Sequence, residues 1–425
     1  MQFTQYNLPS IVVYNIMKKA SIVTIGNEIL SGLTIDTNAA FLAIALQNIG
    51  VPVVSSYSVG DEIDAIARKL EMACTEADII VTTGGLGPTD DDVTRQGFAK
   101  FLGVELEMHQ ELLKKIQNYF ESRNFKMSEK NRIQAYIPAG AEAIANIGTA
   151  PGILVHWKGK LLAALPGVPK EAEKMFESII PELKKFAGKQ AVVARRLKCF
   201  GAGESTIAEK LGDMMLRGRN PLINCTVHEG IITLHIIAEA ESKEKAIQMC
   251  DKDEKILREK LGDLVYGSGD ETLAEVVGAK LTQQKKTIAT AESCTGGLLT
   301  KMLTDIPGAS NYFNYGWITY SNDAKIIELG VQADLIERYG AVSEQVAEAM
   351  AQGARKTAGA DYAIAITGIA GPAGGTEQKP VGLVYICVDY YGGCETKRCF
   401  FTFGREFIRL RAAHTALNML RERLI

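Results

Sequence analysis

Residues 288–297 read I-A-T-A-E-S-C-T-G-G, and this stretch decides the fold of the C-terminal third of the chain. The apolar, β-branched run at 287–290 predicts a buried strand, and Leu298–Leu303 predicts the helix after it. A strand-to-helix turn directs backbone N–H groups and the positive end of a helix dipole at one point, which favours an anion. The alternative is that Ser293 or Thr295 is only the N-cap of that helix.

The bulk composition limits the class of protein. The chain has 425 residues, of which 47% are apolar and 23% charged, and this predicts two or three globular domains with no membrane partner. A net charge of −3 gives no reason to expect nucleic acid as a partner. The eight cysteines include no C-x-x-C pair, so we expect no zinc site or disulfide framework and a cytoplasmic location. Residues 1–16 lack the pattern of a signal peptide and read as an N-terminal extension before Met17.

Patterns of strands and helices divide the rest of the chain into three parts. Strands and helices alternate over 17–187 and again over 267–425, which predicts mainly parallel sheets covered by helices on both faces. Residues 188–266 instead contain a helix, a two-strand region and a charged helix. We therefore predict an α/β protein in which two three-layer domains with mostly parallel sheets are joined by a small α+β domain.

Glycine-rich loops in the first α/β domain predict a ligand site. The sequence T-T-G-G-L-G-P-T-D-D-D at 82–92 follows an apolar strand, and its glycines allow a ligand to approach the backbone. We expect its three aspartates to open the next helix. One carboxylate is enough for capping, and three in a row repel each other unless a hard cation is near. The candidate residues of this crevice are Asn27, Glu28, Asp36, Asn38, Gly84, Gly85 and Lys130, although Lys130 is also typical of a solvated face.

The C-terminal domain cannot assemble a Ser-His-Asp set, because its single histidine, His414, lies on the long final helix. A nucleophile at Ser293 would need a different base, and a lysine with a lowered pKa is the known substitute. Lys325 is the candidate, and we expect burial against Tyr320 and Trp317 to lower its pKa.

Other side chains near this turn leave alternatives open. Cys294 is a rival nucleophile, although a buried cysteine is commonly a packing choice. The loop within 363–382 carries four glycines and two prolines, and such a loop is usually functional. Arg405 and Arg409 open the last helix, where cations oppose the helix dipole unless an anion is near. We interpret them as anion binders, with a surface salt bridge as the alternative.

Several motifs resemble those of the CinA family, the competence/damage-inducible protein A homologues, and the resemblance runs through nearly all of Met17–Ile425. The motifs are G-N-E-I-L-S-G (26–32), T-T-G-G-L-G-P-T-D-D-D (82–92), G-T-A-P-G (148–152), L-P-G-V-P (165–169), A-E-S-C-T-G-G (291–297), Y-S-N-D-A-K (320–325), T-G-I-A-G-P (367–372) and K-P-V-G (379–382).

The resemblance implies two activities and a KH-like middle segment. The last domain is similar to nicotinamide mononucleotide (NMN) deamidase, which needs no metal. The first domain resembles molybdopterin-binding enzymes, and in the CinA family it is associated with metal-dependent (Mg, Mn or Co) ADP-ribose pyrophosphatase activity. The family is typically dimeric. The implied catalytic residues are Ser293, Lys325 and Tyr320, and the implied substrate-binding residues are Thr295, Gly296, Gly297, Thr367, Gly368, Arg405 and Arg409. The implied metal ligands are Glu28, Asp90, Asp91 and Asp92.

Two rival functions stay open at this point. The first domain could instead adenylylate molybdopterin or load molybdate onto it. The sequence does not separate this function from cleavage of ADP-ribose, because molybdopterin and ADP-ribose both carry phosphates. The chain could also be a non-catalytic adaptor in DNA uptake. Residues 190–267 argue against the adaptor, because they hold as many Asp and Glu as Lys and Arg, and binding to a phosphate backbone needs a basic surface.

Overall fold

The computed structural model describes residues 18–145, 148–188 and 191–424, so the predicted extension at 1–16 lies outside the described residues. The described residues divide into two compact units. One unit runs up to Ala194 and includes Ala238–Met249, and the other contains Arg195–Ile237 and continues from Cys250. No helix in the described ranges combines the length and the apolar character that crossing a membrane requires.

The first α/β domain is a six-stranded sheet between two layers of helices. Its sheet order is β2-β1-β3-β8-β7-β6. Strands β2, β1, β3 and β8 run parallel, β7 pairs antiparallel with β8, and β6 pairs antiparallel with β7. Strands β4 and β5 form a separate ribbon. The strands are β1 (Ala20–Ile25), β2 (Val53–Val59), β3 (Ile79–Thr83), β4 (Leu106–Met108), β5 (Tyr136–Pro138), β6 (Glu142–Ile144), β7 (Gly152–Trp157) and β8 (Lys160–Leu165). The helices are α1 (Asn27–Leu30), α2 (Thr37–Asn48), α3 (Ile63–Glu76), α4 (Thr94–Leu102), α5 (Gln110–Glu121) and α6 (Pro169–Ala187).

Alternation along β1 explains the two helical layers. Ile22 packs with α2 and α6 in one core, whereas the next residue, Val23, packs with α3, α4 and α5 in the other. Successive side chains of a strand point to opposite faces, so an uninterrupted apolar strand requires cover on both sides.

The middle segment forms a four-stranded sheet of order β10-β11-β9-β12. Its elements are β9 (Ala191–Cys199), α7 (Glu204–Leu211), β10 (Leu222–His228), β11 (Ile231–Ala240), α8 (Lys243–Leu261) and β12 (Val265–Ser268). The predicted α+β character of this segment is confirmed.

The last domain places a five-stranded sheet of order β14-β13-β15-β16-β17 between helices. Strands β14, β13 and β15 are parallel, and β16 and β17 form an antiparallel hairpin at one edge. The strands are β13 (Ile288–Glu292), β14 (Phe313–Ile318), β15 (Tyr362–Gly368), β16 (Leu383–Tyr390) and β17 (Gly393–Phe400). The helices are α9 (Leu273–Gln284), α10 (Leu298–Thr304), α11 (Asn322–Leu329), α12 (Ala333–Tyr339), α13 (Glu344–Ala358) and α14 (Gly404–Arg423). The predicted fold class, with two α/β domains rich in parallel strands, is confirmed.

The strand order fixes where a ligand is expected in each α/β domain. Strand β1 lies between β2 and β3, and β13 lies between β14 and β15, so the chain leaves each central strand at a point where the strand order reverses. Ligands in open α/β sheets bind at the carboxyl ends of the strands at such switch points. The loop after β1 carries Glu28, and the turn after β13 carries Ser293.

One local expectation from the sequence was wrong, and one alternative interpretation is excluded. The aspartates at 90–92 do not open a helix, because α4 begins only at Thr94 and the aspartates lie in the preceding turn. Neither Ser293 nor Thr295 is the N-cap of α10, because that helix begins at Leu298 and its cap residue is Gly297.

Candidate functional site

The turn after β13 brings Ser293 next to Lys325. The Ser293 N–H donates to the carbonyl of Ile366 on the neighbouring strand β15 at 2.9 Å, which fixes the start of the turn. Lys325 lies on α11, whose first turn is capped by the Ser321 hydroxyl. The Nζ of Lys325 is 3.2 Å from the Oγ of Ser293. The side-chain pair predicted from the sequence is therefore in hydrogen-bonding contact.

The amine of Lys325 lies in a buried environment that favours its uncharged form. Only 1% of Lys325 is exposed, and this burial lowers the pKa of the amine, as desolvation disfavours the charged form. Besides Ser293, Nζ donates to the carbonyl of Thr319 at 2.7 Å and to that of Ser321 at 3.5 Å. The lowering of this pKa by burial agrees with the sequence-based expectation, and Tyr320, one of the two aromatic residues expected to cover the amine, is itself 59% exposed.

Glu292 satisfies the start of α10 and so prevents this helix end from binding an external anion. Its fully buried carboxylate accepts hydrogen bonds from the N–H groups of Gly297, Leu299 and Thr300 at 3.0, 3.1 and 2.8 Å. The N–H of Leu298 donates to the Thr295 carbonyl at 3.3 Å. The first N–H groups of a helix are those that usually hold an anion. The expected anion site is therefore not at the start of α10, because the chain supplies an anion of its own to this helix end.

Cys294 is poorly suited to be the nucleophile. The thiol is buried, and burial raises its pKa to about 12. The thiolate is the reactive form of cysteine, so a raised pKa lowers its reactivity at neutral pH. Of the two candidate nucleophiles at this turn, Ser293 is the one whose side chain is hydrogen-bonded to Lys325 Nζ.

A cavity of about 280 Å³ opens next to the Ser293–Lys325 pair. Its lining residues are Ser293, Cys294, Tyr320, Asn322, Lys325, Ala341, Val342, Thr367, Gly368, Ile369, Ala370, Gly371, Ala373, Gly374 and Arg405. Thr367 and Gly368, both predicted from the sequence, come from the end of β15, and the Thr367 hydroxyl donates to the carbonyl of Ala341 at 2.8 Å. Asn322, at the start of α11, was not singled out in the sequence.

The two arginines of α14 have different surroundings. Arg405 is exposed and lines the cavity, where it donates to the Tyr320 hydroxyl and to the Gly371 carbonyl. Arg409, one turn later, donates from Nε and Nη2 to the carbonyl of Thr295 at 3.2 and 2.5 Å. Arg409 therefore braces the turn after Ser293, and only Arg405 faces the cavity.

Three predicted substrate-binding residues, Thr295, Gly296 and Gly297, shape the turn and are not among the residues that line the cavity. Gly296 and Gly297 have φ angles of 57° and 91°, a region that residues with a Cβ rarely adopt. A Cβ on Gly297 would also lie 3.1 Å from the Cδ1 of Ile318. These glycines allow the chain to reverse between β13 and α10.

The first domain has a larger cavity, of about 370 Å³, at the carboxyl end of β1. Of the predicted residues, Glu28, Gly84, Gly85, Asp91 and Asp92 line it. Gly84 has a φ of 105°, and a Cβ there would lie 2.0 Å from the Ile25 carbonyl oxygen, so this position requires glycine.

The three consecutive aspartates have three different environments. Asp90 is exposed and pairs with Lys130 at 3.2 Å, and neither residue lines the cavity. Asp92 turns back into its own loop, where it accepts from the N–H groups of Gly87 and Thr89, both at 2.8 Å. Asp91 lines the cavity, so the structure does not bring all of the predicted metal ligands together at this site.

A second cavity, of about 100 Å³, contains Asp36 and Asn38 and shares Glu28 and Gly84 with the larger one. Asp36 caps α2 by accepting from the N–H of Ala39, and Asn38 donates to Thr83 Oγ1 and to the Gly167 carbonyl. Asn27 lines neither cavity, and its N–H donates to Asp61 at 2.8 Å.

Asp61 and Glu171 line the larger cavity, and the sequence did not single them out. Burial raises the pKa of both carboxyl groups, and the nearby carboxylates of Glu28, Asp91 and Asp92 contribute to the shift at Asp61. Asp61 follows β2 and Glu171 lies in the first turn of α6, so only the folded chain gathers them here. Within the described ranges, no group of three or more His, Cys, Asp and Glu side chains is arranged to hold a metal ion unaided.

Family models match all three parts of the chain. The model of the CinA C-terminal domain matches residues 270–424, that of the damage-inducible protein CinA KH domain matches 194–267, and one described as "Probable molybdopterin binding domain" matches 21–185.

Named relatives are similar over almost the full length. A competence-damage inducible protein of Clostridium beijerinckii is 43% identical over 408 residues, which cover 96% of this chain and 100% of the relative. A CinA-like protein of Kosmotoga olearia is 42% identical over 96% of this chain and 99% of its own. The crystal structure of the competence/damage inducible protein CihA from Agrobacterium tumefaciens matches with 43% identity and a TM-score of 0.34, covering 35% of this chain and 91% of that one. The similarity to the two relatives that match over almost the full length shows that the chain belongs to the CinA family.

Proposed function

We propose that the C-terminal domain is a nicotinamide-nucleotide amidase, which converts NMN and water to nicotinate mononucleotide and ammonia. The observation that carries the proposal is the buried 3.2 Å contact between Lys325 Nζ and Ser293 Oγ, in a cavity that Arg405 also lines. A hydroxyl beside an uncharged amine is a nucleophile–base pair, and a guanidinium is suited to bind a phosphate.

The contacts of Lys325 support its role as the base. An uncharged amine has two N–H groups and one lone pair. The carbonyls of Thr319 and Ser321 are placed to accept from the two N–H groups, which leaves the lone pair for the Ser293 hydroxyl. Burial favours this uncharged form.

The proposed amidase reaction has two halves, acylation of Ser293 and hydrolysis of the acyl-enzyme. Ser293 Oγ attacks the carboxamide carbon while its proton passes to Lys325, and backbone N–H groups near the turn would stabilise the oxyanion. The C–N bond breaks as Lys325 returns the proton to the leaving group, which departs as ammonia. Water next attacks the acyl carbon while Lys325 accepts a proton from the water. The ester bond to Ser293 Oγ then breaks as Lys325 returns that proton to Oγ, and nicotinate mononucleotide leaves.

Ammonia release by the full-length protein tests this proposal. We expect Ser293→Ala to lower kcat for NMN by about a thousandfold or more, because covalent catalysis needs the hydroxyl. Cys294→Ala is the matched control at the next position, and it should retain most of the activity because its thiol is buried and has a raised pKa. Full activity of a correctly folded Ser293→Ala variant would exclude this mechanism.

We propose a second activity for the first domain, metal-dependent cleavage of ADP-ribose to AMP and ribose 5-phosphate. The observation in its favour is that the described residues lining the 370 Å³ cavity include five carboxylates but no Lys, Arg or His. A pyrophosphate could enter such a site only together with cations. The carboxylates are Glu28, Asp61, Asp91, Asp92 and Glu171.

The donors in this cavity fit a divalent ion that is shared with the substrate. Mg²⁺ is usually bound by one or two carboxylates together with substrate phosphates, rather than by a cage made only of protein ligands. Glu28 and Asp91 would be its ligands here, whereas Asp92 is already engaged by its own loop. The ion would neutralise the pyrophosphate, and water would attack one phosphorus as the bond from the bridging oxygen to that phosphorus breaks.

Titration of the full-length protein with Mg²⁺, Mn²⁺ or Co²⁺ in the presence of ADP-ribose tests this second activity. We expect AMP to form with metal and its formation to stop when EDTA is added. If none of the three ions supports cleavage, the proposal is wrong. Tight binding of a pterin in that case would favour a molybdopterin-binding function for the first domain.

A further inference from the structure

Tyr320 and Arg405 form a hydrogen-bonded pair beside the C-terminal cavity. Arg405 Nη2 donates to the Tyr320 hydroxyl oxygen at 3.0 Å, and Nη1 donates to the Gly371 carbonyl at 2.8 Å. Since the phenol oxygen accepts from the guanidinium, its own O–H is directed to a different acceptor. Among the described residues, no hydrogen bond takes up this proton.

The charge distribution around this pair favours an anion. Among the described residues that line the cavity, the Arg405 guanidinium is present and no Asp or Glu is found. In the described part of the chain, Arg405 has no ion-pair partner, although other exposed arginines such as Arg423 do. Arg405 also lies in the first turn of α14, where a cation opposes the helix dipole and an adjacent anion would offset that cost.

Tyr320 is not connected to the Ser293–Lys325 pair by hydrogen bonds. The amine of Lys325 contacts Ser293 Oγ and the carbonyls of Thr319 and Ser321, and the Tyr320 hydroxyl contacts Arg405. A proton relay through the phenol would need a link to the amine or to the nucleophile. The phenol is instead connected to the cationic side of the cavity.

We propose that Tyr320 and Arg405 together form a two-donor clamp for the phosphate of the substrate, so that Tyr320 determines specificity for a phosphorylated substrate and does not take part in bond making. This inference rests on the proposed amidase function for the identity of the substrate. The guanidinium polarises the phenol and strengthens it as a donor to a phosphate oxygen. At a partly exposed site, losing one such hydrogen bond should cost about tenfold in binding.

The test compares Tyr320→Phe with the wild-type full-length protein on NMN and on nicotinamide riboside, which lacks the phosphate. We expect the variant to lower the preference for NMN, as a ratio of kcat/KM values, about tenfold and mainly through KM. Tyr391→Phe is the matched control, since Tyr391 is 93% exposed and does not line the cavity. It should leave both substrates unaffected.

Binding of inorganic phosphate, measured by calorimetry, gives a readout that does not depend on catalysis. We expect Tyr320→Phe and Arg405→Met each to weaken phosphate binding by about tenfold or more. If the wild type releases no ammonia but both variants still weaken phosphate binding, the amidase proposal falls and the clamp stands. If Tyr320→Phe lowers kcat for NMN and for the riboside by the same factor, or leaves phosphate binding unchanged, the clamp is wrong.

Discussion

The carboxylate of Glu292 accepts hydrogen bonds from both the backbone N–H and the hydroxyl of Thr300, at 2.8 and 2.7 Å. Glu292 ends β13 and Thr300 lies in the first turn of α10, so this contact closes the turn that carries Ser293. On the other side of the same turn, Arg409 holds the carbonyl of Thr295. The position of the proposed nucleophile therefore depends on two charged side chains that do not line the cavity.

Glu292→Ala should destabilise the protein strongly. The change leaves the N–H groups of Gly297, Leu299 and Thr300 without their acceptor in a buried location, which should cost about 3 kcal/mol in the free energy of unfolding. Denaturant unfolding measures this loss. Glu395→Ala is the control, because the exposed ion pair of Glu395 with Arg423 should contribute under about 1 kcal/mol. Equal losses for the two variants would contradict the role given to Glu292.

The proposed amidase should become more active as pH rises through the folded pKa of Lys325. A protonated amine cannot accept the proton of Ser293, so kcat/KM should increase with pH and level off above that pKa. Burial places this pKa below its ordinary value of 10.5, so the plateau should begin below that pH. The pH profile of ammonia release measures it. A rate that continues to rise beyond pH 10.5 would exclude Lys325 as the base.

The pH dependence of stability gives an independent check on the same amine. Because the folded pKa of Lys325 is lowered, the unfolded chain binds this proton more tightly than the native protein does. The stability of the wild type relative to Lys325→Met should therefore rise with pH between the folded pKa and the ordinary value of 10.5, and be constant below and above that window. Unfolding of both proteins across this range measures the difference, and a constant difference would contradict a lowered pKa.

Arg409→Met should reduce the proposed amidase activity without changing its preference for a phosphate. The guanidinium holds the Thr295 carbonyl and does not line the cavity, so its loss should disturb the turn after Ser293. We expect kcat to fall about tenfold or more for NMN and for nicotinamide riboside alike. Arg405→Met is the comparison, and it should affect NMN more. A selective loss on NMN in Arg409→Met would instead place Arg409 on the phosphate.

Asp91 and Asp90 offer a matched pair in the first domain. Asp91→Asn removes a carboxylate that lines the cavity, so it should lower metal-dependent cleavage of ADP-ribose about a hundredfold and raise the metal concentration required. Asp90→Asn changes an exposed residue paired with Lys130 and should remain within about twofold of the wild type. Cleavage assays at varied Mn²⁺ measure both. Similar losses in the two variants would contradict this division of roles.

The sequence predicted those features that depend on local pattern. The apolar run of β13 and the helical pattern of α10 place Ser293 on a turn. Because the domain's single histidine, His414, lies on the final helix, the sequence predicts Lys325 as the base. The structure brings the two together at the expected edge of the sheet. Their contact arises because β13 and β14 are neighbouring parallel strands, so the segments that follow them begin at the same edge.

Features that depend on the orientation of a side chain could not be read from the sequence. The run at 90–92 presents three identical carboxylates, and only the folded loop separates Asp91 from its neighbours. The spacing of Arg405 and Arg409 places both on one helical face. In the structure, however, the Arg409 guanidinium is hydrogen-bonded to the Thr295 carbonyl. Asp61 follows β2 and belongs to none of the sequence motifs. It lies near Glu28 only because β1 and β2 are neighbouring strands of the sheet.

The carboxylate that the chain places at the start of α10 also affects how the proposed reaction would end. Hydrolysis turns a neutral amide into a negatively charged acid next to Ser293. An unoccupied helix terminus would hold that newly formed acid and slow its departure. Glu292 already accepts from the N–H groups of this terminus, so they are not available to the product. We therefore expect fast product release at this end of the cavity and little inhibition by nicotinate.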